Sequence, residues 1–596
     1  MKVKEIFLNK VSRFRLITVM DMLIKSLFFI VLLEVKSVDK LEFNNMIFKF
    51  TFILLVYLGG YLFSENRQRI YYISLNVLYS LLLIFDLWYF RVNADLVELK
   101  NIFYLGTFSP SGKSLYQFRN IDLLFILDII VIIAYVIIKK VKNNEERSFK
   151  KSEVTIISTS IILVISFICM NVLSFSEWEN SMFAKRVPIL ISARPAGLVG
   201  YNLTESITTL GMAINTEVDY EKSEIEKWLA YNKENLKSNE YSGIAEGKNI
   251  IFIHVESLEN FIINKSVNGK EVSPFLNKLA NEGMYFTNIY EQNNAGNSID
   301  CDFMVNTSIY PLGDEITAVN YGQNVYSNSL PRILESEGYK TISTHAEEEE
   351  SFNWGELHRT GFGVQKLWNI NDYIYEETVG YGLADRSLFD QISEKLEQVQ
   401  EPFFLQLVTL ANHGPFDIDK KYRELDLPKE IDESYLGGYF ESVHYTDKQI
   451  EMFFDKLEKN GLLDNTMFVI YGDHSGVHKY YNDEIQNLSY EGDWWKEYDH
   501  KIPLIIYSKG IEPKIIEASG GQVDIPTTVL YLLNVDKDKY SNTSMGRVLV
   551  NTNRDATIIK GNEIKGNVKD NKELEHLLKA YEIGEMIIKN NYFSNN

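Results

Sequence analysis

The sequence predicts an α/β protein in which a transmembrane region of five helices precedes a domain with a mostly parallel central sheet. Five apolar runs of about 17–22 residues lie before residue 176, and roughly 20 such residues cross the hydrocarbon core of a bilayer. From Lys248 onward, apolar β-rich runs alternate with helical patterns, which is typical of parallel strands joined by helices. The length of 596 residues also favours several domains over one.

Each apolar run is a predicted membrane span. The first is the weakest because Asp21 and Lys25 interrupt it, and an interfacial helix is its alternative interpretation. No cleavable signal pattern precedes it. The runs cover residues 16–35, 46–64, 70–90, 122–138 and 154–175.

Basic residues predict the orientation of these spans. They are concentrated before the first run, between the second and third runs at Arg67 and Arg69, and between the fourth and fifth at residues 139–151. All three groups lie on one side if the N-terminus is cytoplasmic, the side that loop Lys and Arg prefer. Five crossings then place the chain after residue 176 outside the cell. We therefore expect a multi-pass protein of the cell membrane with an extracellular catalytic domain.

The patterns after the last span divide the rest of the chain. Residues 219–237 have the pattern of a charged amphipathic helix within a less apolar segment. We expect a transmembrane domain at 1–175, an extracellular helical connector at 176–247, an α/β catalytic domain at 248–560 and a polar helical C-terminal tail at 561–596. Strands are predicted at 249–255, 340–344, 403–410, 466–471 and 503–507, and helices at 273–283, 329–337, 385–399, 444–460 and 525–533.

Composition excludes some classes of function. The formal net charge is −21, so a nucleic acid is not an expected partner, since its phosphates would be repelled. The two cysteines, Cys169 and Cys301, are too few for a disulfide framework or a cysteine zinc site.

Polar side chains that can bind a metal follow three predicted strands. Glu256 ends the strand at 249–255, Asp473 and His474 follow the strand at 466–471, and His413 follows the strand at 403–410. The carboxyl ends of parallel strands open into the crevice where α/β proteins bind ligands. Carboxylate and imidazole ligands suit Mn²⁺ or Zn²⁺ better than Ca²⁺. The alternative interpretation of the Asp-His pair is a loop carboxylate beside a histidine that caps a helix.

Ser298 is the candidate nucleophile. It lies in a small, polar stretch that turns into a predicted helix, where oriented N–H groups favour an alkoxide or a phosphate. A metal bound to its Oγ would lower the pKa of the hydroxyl. The alternative is that Ser298 is only the N-cap of that helix.

These motifs resemble the lipoteichoic acid synthase family, within the alkaline phosphatase and sulfatase superfamily. The five-span N-terminal region resembles the same family, so the likeness covers nearly the whole chain. It implies a sulfatase-like α/β fold and a nucleophile, normally Thr, at Ser298 in Gly296-Asn297-Ser298-Ile299-Asp300. The family's metal ligands fall on Glu256, Ser298, Asp473 and His474, and its substrate-binding histidines on His345 and His413.

The sequence departs from the family pattern at two places. Ser replaces Thr at position 298, which keeps the hydroxyl. The Phe-Trp-Asn-Arg run that holds phosphoglycerol in the family is altered here to Phe352-Asn353-Trp354-Gly355. Trp354 can keep the aromatic contact with substrate, and Arg359 is near enough in sequence to replace the missing arginine. Neither Ser298 nor Cys301 has the Pro and Arg that sulfatases need for formylglycine, so sulfate-ester hydrolysis is disfavoured.

The resemblance therefore implies a membrane-anchored, metal-dependent phosphoglycerol transferase. The expected donor is phosphatidylglycerol, and the expected acceptor is a glycolipid or a polyglycerol phosphate. One divalent ion is expected, with Mn²⁺ preferred to Mg²⁺ or Zn²⁺. The alternatives are a phosphoethanolamine-type transferase, a phosphodiesterase that uses water, and a catalytically inactive relative that binds the cell envelope.

Overall fold

The computed structural model describes residues 10–32, 53–54, 56–63, 65–93, 118–127, 129–130, 198–199, 202, 222–313, 315–490 and 492–595. The chain forms two compact units. The first contains residues 1–104 and 115–216, and the second contains residues 105–114 and 217–596.

The first unit contains two long described helices, α1 (Lys10–Leu32) and α2 (Glu65–Asn93), and two short 3₁₀ turns at Gly59–Leu62 and Asn120–Leu123. Within the described part of the chain, the segment Arg67–Arg91 of α2 is the one helix long and apolar enough to cross a membrane. It contains the predicted span at 70–90. The predicted span at 154–175 lies outside the described residues, as do parts of those at 16–35, 46–64 and 122–138.

The second unit is built on an eight-stranded sheet with the order β8-β2-β7-β6-β1-β5-β3-β4. Strand β7 runs antiparallel to its neighbours β6 and β2, whereas the other pairs in the sheet are parallel. The prediction of a mostly parallel central sheet is therefore confirmed. The strands are β1 (Asn249–Val255), β2 (Met284–Phe286), β3 (Lys340–Thr344), β4 (Lys366–Trp368), β5 (Phe403–Val408), β6 (Thr466–Gly472), β7 (Leu504–Ser508) and β8 (Lys514–Ile516).

The central strands are apolar throughout because both faces of the sheet are covered. Every residue of β1 is buried. Side chains alternate between the faces of a strand, so Ile251 and Ile253 enter one core and Ile250 and Phe252 enter the other.

Helices cover both faces of this sheet. The helix predicted at 444–460 begins earlier, at Tyr435, because Gly437 and Gly438 are helical residues packed against the backbones of Ile431 and Phe416. The helices are α3 (Lys222–Asn232), α4 (Pro274–Glu282), α5 (Ser298–Thr307), α6 (Thr317–Tyr321), α7 (Leu330–Ser336), α8 (Trp354–Glu356), α9 (Asp385–Leu396), α10 (Lys429–Asp432), α11 (Tyr435–Lys459), α12 (Val477–Asn487), α13 (Ile525–Leu532), α14 (Asn571–Leu578) and α15 (Ala580–Lys589).

The C-terminal segment is part of the packed unit. Strand Glu563–Asn567 pairs with Asp555–Ile559 before helices α14 and α15 begin, so the segment expected to be helical also contains a strand. Helix α15 buries Ile583 and Ile587, and the Tyr581 hydroxyl donates to the Gln292 carbonyl at 2.9 Å.

Candidate metal and nucleophile site

The register of the central strands brings two predicted ligands together. Strands β1 and β6 are parallel neighbours, with Val255 opposite Gly472. Glu256 and Asp473 each follow at once, so both carboxylates lie at the same edge of the sheet. Both are buried, at 4% and 0% exposure. Two apolar runs that end in register are therefore sufficient to juxtapose them.

Ser298 and His474 meet Glu256 at this edge. The Ser298 Oγ–H donates to Glu256 Oε2 at 3.0 Å and lies 3.2 Å from His474 Nε2. The same His474 nitrogen lies 3.4 Å from Glu256 Oε1 and 3.6 Å from Asp473 Oδ2. The four residues assigned to the metal site by sequence thus surround a common point.

The orientation of these groups fits a cation. His474 Nδ1–H donates to the Ser475 carbonyl at 2.9 Å, which leaves Nε2 as the ring nitrogen directed at Ser298, Glu256 and Asp473. Asp473 Oδ1 accepts the N–H groups of Ser257 and His474, each at 2.7 Å. Asp473 Oδ2 is buried without a well-aligned hydrogen bond among the described residues. It is the oxygen left for a metal.

His254 is a neighbour that the sequence interpretation missed. Its ring is fully buried, with Nδ1 at 2.9 Å from Asp302 Oδ1 and Nε2 at 3.0 Å from Asp473 Oδ2. Donor atoms of His254, Glu256 and Asp473 lie within 4.8 Å of one another, and this group could hold a divalent metal. The available signal was its place two residues before Glu256, a spacing that puts two side chains on the same side of an extended chain.

The charges in this cluster stabilise each other. Burial lowers the pKa of His254, but hydrogen bonds and charges from Asp302 and Asp473 raise it to about 10. Burial raises the pKa of Asp473, but His474 and His254 hold it well below its usual range. In the metal-free geometry, His254 is therefore an imidazolium that donates Nδ1–H to Asp302 and lies beside Asp473 as a compensating charge.

Ser298 is the first residue of α5, and Asn297 precedes it as the N-cap residue with φ of +47° and ψ of −118°. The interpretation of Ser298 as only an N-cap is therefore wrong. Such a backbone conformation is uncommon for a residue other than glycine, and it turns the chain sharply just before the nucleophile candidate.

Of the predicted substrate-binding residues, His345 and His413 follow strands β3 and β5, and Trp354 begins α8. Asn412 Nδ2 donates to the Glu256 carbonyl at 2.9 Å, which ties the loop carrying His413 to the site, and His413 stacks on Tyr381 at 4.2 Å. His345 follows β3, beyond β5, with its ring 5.8 Å from that of Trp354. Trp354 is 2% exposed, so its indole packs within the protein and has little surface left for a substrate.

Arg359 does not point into the site. Its guanidinium pairs with Glu349 at 2.5 Å, and its side chain is 51% exposed. The cation beside the nucleophile is Lys479, on the first turn of α12, whose Nζ donates to Asn297 Oδ1 at 2.5 Å. Burial raises the pKa of Glu291, but a hydrogen bond from His500 and the charge of Lys479 lower it to about 2. Sequence patterns gave no signal for Lys479 beyond its place six residues after Asp473.

A mostly parallel sheet whose central strands end in a buried carboxylate and histidine cluster, with a hydroxyl at a helix start, defines a sulfatase-like α/β protein. The Sulfatase family model matches residues 248–535, and the model of the lipoteichoic acid synthase N-terminal domain matches residues 1–210. Together with a relative of that name that is 31% identical over 504 residues, these matches show that the chain belongs to the lipoteichoic acid synthase family.

Individual relatives and a solved structure support the same family assignment. The chain is 31% identical over 504 residues to lipoteichoic acid synthase 2 of Bacillus subtilis (strain 168), covering 82% of this chain and 75% of the relative. It is 28% identical over 500 residues to lipoteichoic acid synthase of Staphylococcus aureus (strain USA300), covering 81% and 75%. The crystal structure of the lipoteichoic acid synthase LtaP from Listeria monocytogenes superposes with a TM-score of 0.54 at 25% identity, covering 62% of this chain and 98% of that one.

Proposed function

We propose that this protein is a membrane-anchored phosphoglycerol transferase that moves glycerol phosphate from phosphatidylglycerol to a glycolipid or polyglycerol phosphate acceptor. Membership of the lipoteichoic acid synthase family supports the reaction class. The observation that carries the assignment of residues is the contact of Ser298 Oγ with both Glu256 and His474, at 3.0 and 3.2 Å. A hydroxyl held among metal-ligand side chains is the arrangement that a covalent transfer requires.

The membrane arrangement in this proposal follows the basic residues of the sequence. Five spans in residues 1–175 would anchor the chain with its N-terminus in the cytoplasm, and residues 176–247 would connect them to an extracellular catalytic domain at 248–560, followed by the segment 561–596. A lipid donor in the outer leaflet would then lie within reach of the site. The Arg67–Arg91 helix supports one of these spans.

The proposed ligands of one divalent cation, with Mn²⁺ expected, are Glu256, Ser298, Asp473 and His474. Such an ion supplies charge that lowers the pKa of a bound hydroxyl and offsets negative charge on phosphate. The chain's own contribution is to hold the Ser298 Oγ–H toward Glu256 and to direct Nε2 of His474 toward the same point.

The first step forms a bond between Ser298 Oγ and phosphorus and breaks the bond from phosphorus to the diacylglycerol oxygen. The Ser298 proton passes to Glu256 Oε2, to which that hydroxyl already donates. The leaving oxygen takes a proton from His413, and diacylglycerol departs. Glycerol phosphate is then an ester of Ser298.

The second step reverses these roles. The acceptor hydroxyl forms a bond to phosphorus as the bond to Ser298 Oγ breaks. The acceptor's proton returns to His413, and Ser298 regains its own from Glu256. His345 and Lys479 hold phosphate oxygens during both steps, since a point charge beside Asn297 suits an anionic substrate.

The test is incubation of the purified full-length protein with fluorescent phosphatidylglycerol and Mn²⁺, with labelled diacylglycerol as the readout. We expect release by the wild type, loss of release on chelation, and loss in Ser298→Ala. The control is Ser266→Ala, because Ser266 is an exposed serine in a short hairpin of the same unit. Full activity of Ser298→Ala would remove Ser298 from the mechanism.

Mass spectrometry of the adduct trapped on Ser298 identifies the group that is transferred. A glycerol phosphate adduct supports the proposal, whereas a phosphoethanolamine adduct assigns the alternative donor. Release of free glycerol phosphate without labelling of an added acceptor would indicate a phosphodiesterase. Absence of bound metal and of any turnover would indicate an inactive relative.

A further inference from the structure

Behind the proposed metal site lies a buried row of side chains that the mechanism above does not use. It begins beside the proposed ligand Asp473 and runs through His254 and Asp302 to His358, and each of these three residues is at most 3% exposed. We propose that His254 and Asp302 are positioning residues: together they hold the Asp473 carboxylate in the orientation that binds the metal. The inference rests on the proposed metal site and adds residues that do not themselves touch the substrate.

Asp473 is oriented from two sides. Its Oδ1 is held by two backbone N–H groups at 2.7 Å, from Ser257 and His474. Its Oδ2 lies 3.0 Å from His254 Nε2. With one oxygen bound to the backbone, the position of the imidazole sets the rotation of the carboxylate and therefore the direction of the free lone pair on Oδ2.

His254 is itself held by Asp302. The two are joined through Nδ1 and Oδ1 at 2.9 Å. Asp302 is in turn held by Gln406, whose Nε2 donates to the same Oδ1 at 2.7 Å, and its Oδ2 lies 3.3 Å from His358 Nε2. The hydrogen bond from Gln406 therefore fixes the carboxylate that holds His254.

The contact between His254 and Asp302 also sets the distance between Ser298 and the proposed metal ligand Glu256. His254 lies on β1 and Glu256 directly follows the strand end, while Ser298 and Asp302 lie four residues apart on α5 and share one face of that helix. The end of β1 and helix α5 therefore contact each other through two pairs of residues: His254 with Asp302 at 2.9 Å, and Glu256 with Ser298 at 3.0 Å. A shift of α5 along β1 would break both contacts together.

Stability alone does not account for this row. Burying charged groups costs several kcal/mol per ion, and a well-packed apolar set of similar volume is often as stable as a buried ion pair. Partners that orient a metal ligand, by contrast, typically change metal affinity by about 10–100-fold when they are removed. The effect of the row is therefore expected in metal binding.

The experiment measures Mn²⁺ affinity by calorimetry on the full-length protein in detergent, for the wild type and for Asp302→Asn. We expect Asp302→Asn to weaken Mn²⁺ binding about 10–100-fold. The matched control is Asp447→Asn, the same change at another buried carboxylate, which accepts the N–H groups of Phe275 and Leu276 at the start of α4. We expect the control to lower the melting temperature and leave the Mn²⁺ affinity unchanged.

Equal Mn²⁺ affinity in the wild type and folded Asp302→Asn would overturn the inference, as would an equal loss in Asp447→Asn. If Asp302→Asn does not fold, His254→Gln replaces it, since glutamine keeps a donor toward Asp473 but cannot also reach Asp302. It too should weaken binding. A wild type that releases diacylglycerol but binds no Mn²⁺ would overturn both this inference and the metal assignment. A wild type that binds Mn²⁺ without releasing diacylglycerol would overturn only the proposed reaction.

Discussion

His576, on α14, connects helix α3 with the C-terminal helices. Its ring stacks on Trp228 of α3 at 4.0 Å, and its Nε2 lies 3.2 Å from Asn232 Oδ1. Burial, together with the positive charges of Arg554 and Arg547, lowers the pKa of His576 from 6.5 to about 3. The folded protein therefore holds this imidazole neutral at pH values where an unfolded chain would protonate it.

The sign of the resulting pH dependence follows from proton binding. Below pH 6.5 the unfolded state binds a proton at His576, whereas the folded state does not bind it until about pH 3. The free energy of unfolding therefore decreases as the pH falls through this window. Each unit of pKa difference corresponds to about 1.4 kcal/mol. Acidification from pH 7.5 to 5.5 should therefore cost about 1.4 kcal/mol through this residue alone, and the whole window roughly 5 kcal/mol.

The substitution His576→Phe keeps an aromatic ring against Trp228 and removes the titration. The free energy of unfolding of the full-length protein in urea, followed by tryptophan fluorescence, is measured at pH 7.5 and 5.5 for both proteins. The wild type should lose about 1.4 kcal/mol more than the variant between the two pH values. His576→Phe also removes the hydrogen bond to Asn232. This lowers the free energy of unfolding equally at both pH values, so it cancels when the two losses are compared. Equal losses in the two proteins would refute the reasoning.

Three further outcomes are expected. Ser298→Thr should keep diacylglycerol release within about tenfold of the wild type, because the hydroxyl remains; loss as complete as in the alanine variant would contradict this. Lys479→Gln should raise the KM for the anionic donor about tenfold with a smaller change in kcat, whereas Lys448→Gln, at an exposed lysine paired with Glu424, should change neither. Gly472→Ala should lower the melting temperature by several degrees, because a Cβ there would clash with the Leu258 carbonyl, and an unchanged melting curve would disprove that packing.

Much of the site could be predicted from adjacent residues. Glu256 and Asp473 each follow a run of buried residues, and the parallel register of β1 and β6 turns that local pattern into proximity. Ser298 was predictable as the start of a helix after a small, polar stretch. Their roles as ligands and nucleophile remain predictions that the experiments above test.

Other contacts depend on elements far apart in the sequence. His254 meets Asp302 across 48 residues, Lys479 meets Asn297 across 182, and Trp228 meets the backbone of His576 across 348. Apart from the place of His254 two residues before Glu256, no local pattern marks these partners. Arg359, which is close in sequence to the altered phosphoglycerol motif, instead pairs with Glu349 at the surface.

Apart from the three-residue strands β2, β4 and β8, the sequence by itself determined the strands of the sheet, the helices between them, and which carboxylates and histidines stand at strand ends. These properties follow from the periodicity of apolar side chains along a single element. Only the tertiary structure decided which residue hydrogen-bonds or pairs with each of these carboxylates and histidines. It also decided which cation lies beside the candidate nucleophile. Such pairings depend on how far one element is shifted along its neighbour. The local sequence of either element does not determine that shift.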